Sequence, residues 1–222
     1  MNNLQFGGDF YLGVLAHELR HLIESNYDPA DTDWAKEGSA VLATELAGQP
    51  GAGVQRANTF LADPDQQLNS WPESGTGPYY GQGYLFNRYL YDRLGQDAYA
   101  DFAVSPLPGL VALDAVAGQY GLGMTGDALW FDWLSALAIH DHPQAGEAFK
   151  INVGDLETAA LTPVDASTTT IKADVRQYAA DYYQLPAETV EITFSGSGTV
   201  PLLAGQTATD EIFWVARRAN YS

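Results

Sequence analysis

The chain has 222 residues, 46% of them hydrophobic, and no cysteine. It can bury a real core, and disulfides, thiolate nucleophiles and cysteine-based zinc sites are excluded. Ten Lys and Arg against 28 Asp and Glu give a formal charge of −18, which repels a phosphate backbone and an anionic membrane surface and so argues against nucleic acid as a partner.

The acids are spread along the chain, 19 in residues 1–150 and 9 after them, as in a solubilising surface rather than a dedicated patch. No run approaches the roughly 20 apolar residues that cross a bilayer. The start, MNNLQFGGDF, lacks the basic residues and apolar stretch of a signal peptide. Richness in Tyr, Trp, Thr and Gly with little Lys matches the composition of many exported bacterial proteins.

From Phe10 to about Glu24, the apolar residues Leu12, Leu15, Leu19, Leu22 and Ile23 recur at three- and four-residue steps, which is one face of a helix. Asp9 is placed to cap it. The turn-rich SNYDPADTD follows, with Pro29 ending any helical run before a second helix expected from Asp33 to about Gly48. A short helix is expected over Val54 to Leu61, then an irregular loop from Asp63 to Pro78. Helical patterning resumes at Gly81 to Leu94, Asp97 to Val104, Gly109 to Tyr120 and Thr125 to Ile139, with Thr125 and Asp127 as start signals for the last.

After Val153 the character changes to Thr-, Val- and Tyr-rich segments broken by SGSG and AGQ turns. Strands are expected at Val175–Leu185, Val190–Phe194, Val200–Leu203 and Ile212–Arg217. The expected class is therefore α+β: a helical domain over residues 1–152 and a β-rich, sandwich-like domain over 153–222. So few strands make that sandwich incomplete.

His17-Glu18-Leu19-Arg20-His21 reads HExxH. On a helix, residues four apart lie one turn above the other, so both imidazoles reach one ion. Zinc accepts imidazole nitrogen and carboxylate oxygen tetrahedrally, and a catalytic site keeps three protein ligands and one open position. Zinc lowers the pKa of bound water from 15.7 toward about 7 and polarises a carbonyl. Glu18, next to the first ligand, can take that water's proton and pass it to a leaving amine.

Candidates for the third ligand are Glu24, three residues after His21, together with Asp28, Asp31, Asp33 and Glu37. Glu24 reads more simply as a solvated acid at the helix end. His140 and His142 close the last long helix, where the helix dipole favours them. Trp34, Trp71, Trp130 and Trp133 read as core or cleft-wall aromatics.

HExxH followed by Trp34-Ala35-Lys36-Glu37-Gly38 resembles the gluzincin metallopeptidases, and among them the hyicolysin-like secreted bacterial peptidases. The resemblance runs on through PYYGQGYLFNRYLYDRLG and SPLPGLVALDAV and covers about residues 10–150. It implies a zinc peptidase acting on protein or peptide substrates, secreted in its parent context, with Zn2+ held by His17, His21 and Glu37 and with Glu18 as base. It also implies a tyrosine that hydrogen-bonds the oxyanion. Tyr79 follows Pro78 directly, whereas Tyr80 keeps the family's Tyr-to-Gly spacing, which makes Tyr80 the preferred helper.

Relatives often place an acid seven residues past the Glu ligand; here position 44 is Thr and the acid is Glu45. Gluzincins also carry a β-rich subdomain before the HExxH helix, and about nine residues precede that helix here. The expectation is thus a peptidase or a fragment of one, with a non-catalytic zinc-binding adhesion module as the alternative.

Overall fold

The computed structural model describes residues 7–27, 31–143, 145–168, 170–173, 176 and 178–185, and the backbone of 200–208 and 211–217. Among the described residues, seven α-helices form the body: α1 (Asp9–Tyr27), α2 (Asp33–Leu46), α3 (Gly51–Leu61), α4 (Gly77–Leu94), α5 (Gln96–Ala103), α6 (Gly109–Gln119) and α7 (Gly126–Ile139). Among the described residues, no helix is long and apolar enough to cross a membrane.

Helix α4 is the central element, packed against α2 on one side and α3 on the other, while α1 lies on α2. Small residues make these crossings close. A Cβ on Gly38 of α2 would overlap the Asn87 amide and the Gly83 backbone of α4, and one on Gly81 would overlap the Arg56 carbonyl of α3. Asn87, wholly buried, ties the crossing together. Its Nδ2 donates to the Trp34 carbonyl at 3.1 Å and to the Gly83 carbonyl at 2.9 Å. Its Oδ1 accepts from the Tyr99 hydroxyl of α5 at 2.7 Å. A buried amide with both ends bonded carries no desolvation debt, so it fixes helix register rather than weakening the core.

The core is aromatic. Phe86 packs against Trp34, Trp130 and Trp133 with ring centroids 5.0–5.3 Å apart, and Phe60 stacks on Trp133 at 6.1 Å. Such rings bury 150–250 Å² each and dominate core energetics. Helix starts and stops follow local chemistry. The Thr125 side chain accepts from the Ala128 amide at 3.1 Å, an N-cap as expected. Gly95, with φ 80°, lets the chain turn from α4 into α5. Lys150 Nζ donates to the His140 and His142 carbonyls at 3.3 and 2.9 Å and so caps the end of α7.

Helix α1 departs from the usual amphipathic arrangement. Its apolar stripe, which such periodicity normally turns to the core, faces outward: Leu15, Leu19 and Leu22 are 51%, 52% and 67% exposed. The opposite face, with Gly13, His17, Arg20, His21 and Glu24, meets the body. Gly13 sits against Thr44 of α2, whose hydroxyl donates to the Gly13 carbonyl at 3.3 Å.

Between residues 153 and 184, the described residues run over the helices. Ala159 and Ala160 donate to the carbonyls of Leu137 and Leu61, each at 2.8 Å, and the Tyr182 hydroxyl donates to Leu134 at 2.8 Å. Within this span, β1 (Thr162–Pro163) pairs in parallel with β2 (Tyr183–Gln184). Of the expected strand from Val175 to Leu185, Val175 and Gln177 lie outside the described residues, and the described ones are strand only at Tyr183–Gln184, because Tyr178 and Tyr182 turn onto the helices instead of alternating across a sheet. Further on, β3 (Val200–Ala208) pairs antiparallel with β4 (Glu211–Arg217), with Gly205 opposite Trp214. The expected AGQ turn therefore lies inside β3, which is longer than the anticipated Val200–Leu203. The expected strand Val190–Phe194 lies outside the described residues.

Candidate metal centre

Helix α1 presents His17 and His21 on one face, and α2 brings Glu37 to meet them from its second turn. The two Nε2 atoms are 3.1 Å apart, and Glu37 Oε2 is 3.4 Å from each. Tetrahedral bonds of about 2.0–2.1 Å put neighbouring ligand atoms about 3.3–3.4 Å apart. The observed triangle has that size. Glu37 Oε2 is shielded from solvent and makes no hydrogen bond of good geometry, which suits an atom aimed at a shared cation. Among the described residues these three form the one group of His, Asp or Glu able to hold a metal ion.

Gly38 explains how Glu37 arrives there. It lets α2 press against α4 at Gly83, so the preceding residue, Glu37, projects toward α1 rather than being held away by a side chain. Burial alone would raise the Glu37 carboxyl; the approach of His17, the charges of His21 and His17, and the Tyr80 hydroxyl outweigh it and hold the group below the usual carboxylate range. A carboxylate kept ionised beside two imidazoles is a competent ligand set for a divalent cation.

Tyr80, in the first turn of α4, is the tyrosine that reaches this set. Its ring lies 6.4 Å from that of His17, whereas the Tyr79 ring packs against Trp71, at 6.1 Å. Burial, and then the charge of the adjacent Glu37, raise the Tyr80 hydroxyl above its ordinary value, with Arg56 partly offsetting them. It stays protonated and able to donate. The Arg56 guanidinium lies 4.6 Å over the Tyr80 ring, and Trp71 meets that ring edge-on at 5.0 Å. Glu18 is exposed, and its charge reaches the Tyr80 hydroxyl.

The rival acids go elsewhere. Asp31 Oδ1 accepts from the Thr32 and Gly109 amides at 2.6 and 2.9 Å, Asp33 is exposed at the start of α2, and Asp28 lies outside the described residues. Glu24 is not the solvated acid expected from its place near the helix end: it is 4% exposed and lies on the Nδ1 side of His21, away from Glu37. Glu45 serves no histidine. It accepts from the Tyr84 hydroxyl at 2.6 Å and pairs with Arg88 at 3.2 Å.

His140 is buried and bonded through Nε2 to the Glu157 carbonyl at 3.1 Å, so it is structural. Trp34, Trp130 and Trp133 are core residues, while Trp71 belongs to the wall beside Tyr80. Trp71 is thus a cleft-wall aromatic, one of the two places expected for it, whereas Arg56 was not legible as a site residue, since it belongs to no motif.

A cleft of about 230 Å³ opens between the start of α2 and the loop that precedes α4, lined by Asp31, Asp33, Trp34, Leu68, Asn69 and Ser70. It lies one helical turn ahead of Glu37. Compared with models of protein families and with curated proteins, the chain matches none.

Proposed function

We propose that this chain is a zinc-dependent peptidase, secreted in its parent context, that hydrolyses peptide bonds in protein or peptide substrates. The observation that carries the reading is the convergence of His17 Nε2, His21 Nε2 and Glu37 Oε2 at 3.1–3.4 Å, with Glu18 next in sequence to the first ligand. The resemblance of HExxH and WxxEG to gluzincins supports the same reaction.

His17, His21 and Glu37 would hold the zinc, which when bound would supply Lewis-acid polarisation of the scissile carbonyl and acidify water at neutral pH. Glu18 accepts the proton of the attacking water and delivers it to the leaving amine. Tyr80, kept protonated by its surroundings, donates to the carbonyl oxygen as negative charge develops there. The cleft beside Leu68 and Ser70 offers the extended chain a place to lie.

A second reading, a zinc-binding adhesion module without catalysis, is favoured by the outward apolar stripe of α1, because large exposed apolar patches mark interaction surfaces. Cleavage of an unfolded protein substrate with added zinc separates the two. The peptidase reading expects wild type to cleave and Glu18→Gln to lose about 10²–10⁴-fold in rate while still binding zinc. Equal cleavage by both removes Glu18 as base, and zinc binding without cleavage by wild type favours the adhesion module.

A further inference from the structure

We infer that Glu24 is a positioning residue for His21, setting the tautomer in which that ring can bind a metal through Nε2. The inference rests on reading His21 as a ligand. Glu24 Oε2 lies 3.8 Å from His21 Nδ1, the ring nitrogen opposite the one that faces His17 and Glu37. This is an ion-pair distance, longer than a hydrogen bond, and it acts through the field of the carboxylate.

The side chain is 4% exposed, so little water screens that field. A negative charge beside Nδ1 draws the proton toward that nitrogen, against the pull of Glu37 Oε2, which lies 3.4 Å from Nε2, and so raises the share of rings whose Nε2 lone pair is free for a cation. Free imidazole chains favour the opposite tautomer, so a ligand histidine gains from an acceptor at its far nitrogen.

The carboxylate is itself held. Arg20 Nη1 lies 3.5 Å from Glu24 Oε2, and Arg20 Nη2 donates at 2.7 Å to the carbonyl of Ala103, the last residue of α5. A relay thus runs from the end of α5 through Arg20 and Glu24 to His21. Sequence spacing builds it, since Arg20 and Glu24 are four apart and His21 and Glu24 three apart on one helix. Burying a carboxylate costs stability unless it is paired, and Arg20 provides that pairing.

The test compares wild type with Glu24→Gln, which keeps the volume, and with Glu24→Ala. Long-range proton–nitrogen NMR of the metal-free protein reads the His21 tautomer, and titration with zinc against a chelator reads affinity. Wild type is expected to hold a larger share of the proton on Nδ1 than either variant. Glu24→Gln is expected to shift toward the Nε2-protonated form and to bind zinc about 10–100-fold more weakly, with helix content unchanged. An unchanged tautomer together with unchanged zinc affinity in Glu24→Gln overturns the assignment and leaves Glu24 a partner of Arg20 only. A tautomer that depends on Glu24 in a chain that binds no zinc supports the positioning and removes the metal reading instead.

Discussion

Replacing Gly38 by alanine sets a methyl group on the Asn87 amide and the Gly83 backbone, closer than real side chains approach. Backbone cannot yield as the tip of a side chain can, so α2 and α4 must separate. Overpacking of this kind costs about 1–3 kcal/mol, and disturbing the Asn87 bond to the Trp34 carbonyl costs about 0.5–1.5 kcal/mol more. Alanine returns about 0.5–1 kcal/mol of helix propensity, leaving a net loss of about 0.5–4 kcal/mol. Gly118→Ala in α6 is the control, because nothing lies within 4 Å of the added methyl there and only the propensity gain applies. Urea unfolding of both variants isolates the steric part. Glu37 is adjacent to Gly38, so zinc affinity is expected to fall in Gly38→Ala and to hold in Gly118→Ala. Equal stability of the two variants, with equal zinc affinity, would refute the claim that this crossing places the third ligand.

Zinc at 100 times its dissociation constant should add about 2.7 kcal/mol to stability, seen as a Tm rise of about 5–10 °C that His17→Ala abolishes; a rise that survives in His17→Ala contradicts the ligand set. Thr125→Ala removes the cap on the Ala128 amide and should cost about 1 kcal/mol with no change in zinc affinity, both measurable on the same samples. Burial raises the hydroxyls of Tyr84, Tyr89, Tyr99 and Tyr182 above their ordinary value. Because the folded value exceeds the unfolded value of about 10, their contribution is whole below pH 10 and is lost as pH rises, at up to about 1.4 kcal/mol per pH unit per group. Phenolate absorbance from these four should appear together with unfolding; their titration in a folded chain would contradict the burial.

Local signals served well where chemistry is local. Thr125 announced its helix because an N-cap acts within three residues, and His17 and His21 announced that their imidazoles would meet because helical geometry places i and i+4 together. Glu37 as their partner came from resemblance, and the physical cause of its placement, a glycine facing α4, is visible only once α2 and α4 cross. The outward stripe of α1 was hidden for the opposite reason: periodicity shows that a helix has an apolar face, but not which face the rest of the chain meets. Gly13 against Thr44 decides that, and it buries a polar stripe, Glu24 included. Residues 175–185 have strand-like composition, yet Tyr178 and Tyr182 find better burial against the helices. Glu45, a candidate partner for a histidine by position, is held by Tyr84 and Arg88, contacts that join distant helices and leave no trace in spacing.

The central claim is that α1 and α2 together build a zinc site. Crystals grown with zinc and measured on both sides of its absorption edge test this most directly. The account predicts one anomalous peak bounded by His17 Nε2, His21 Nε2 and Glu37 Oε2, at about 2.0–2.2 Å from each. A zinc peak elsewhere with this triad empty, or a chain that takes up no zinc, would contradict it.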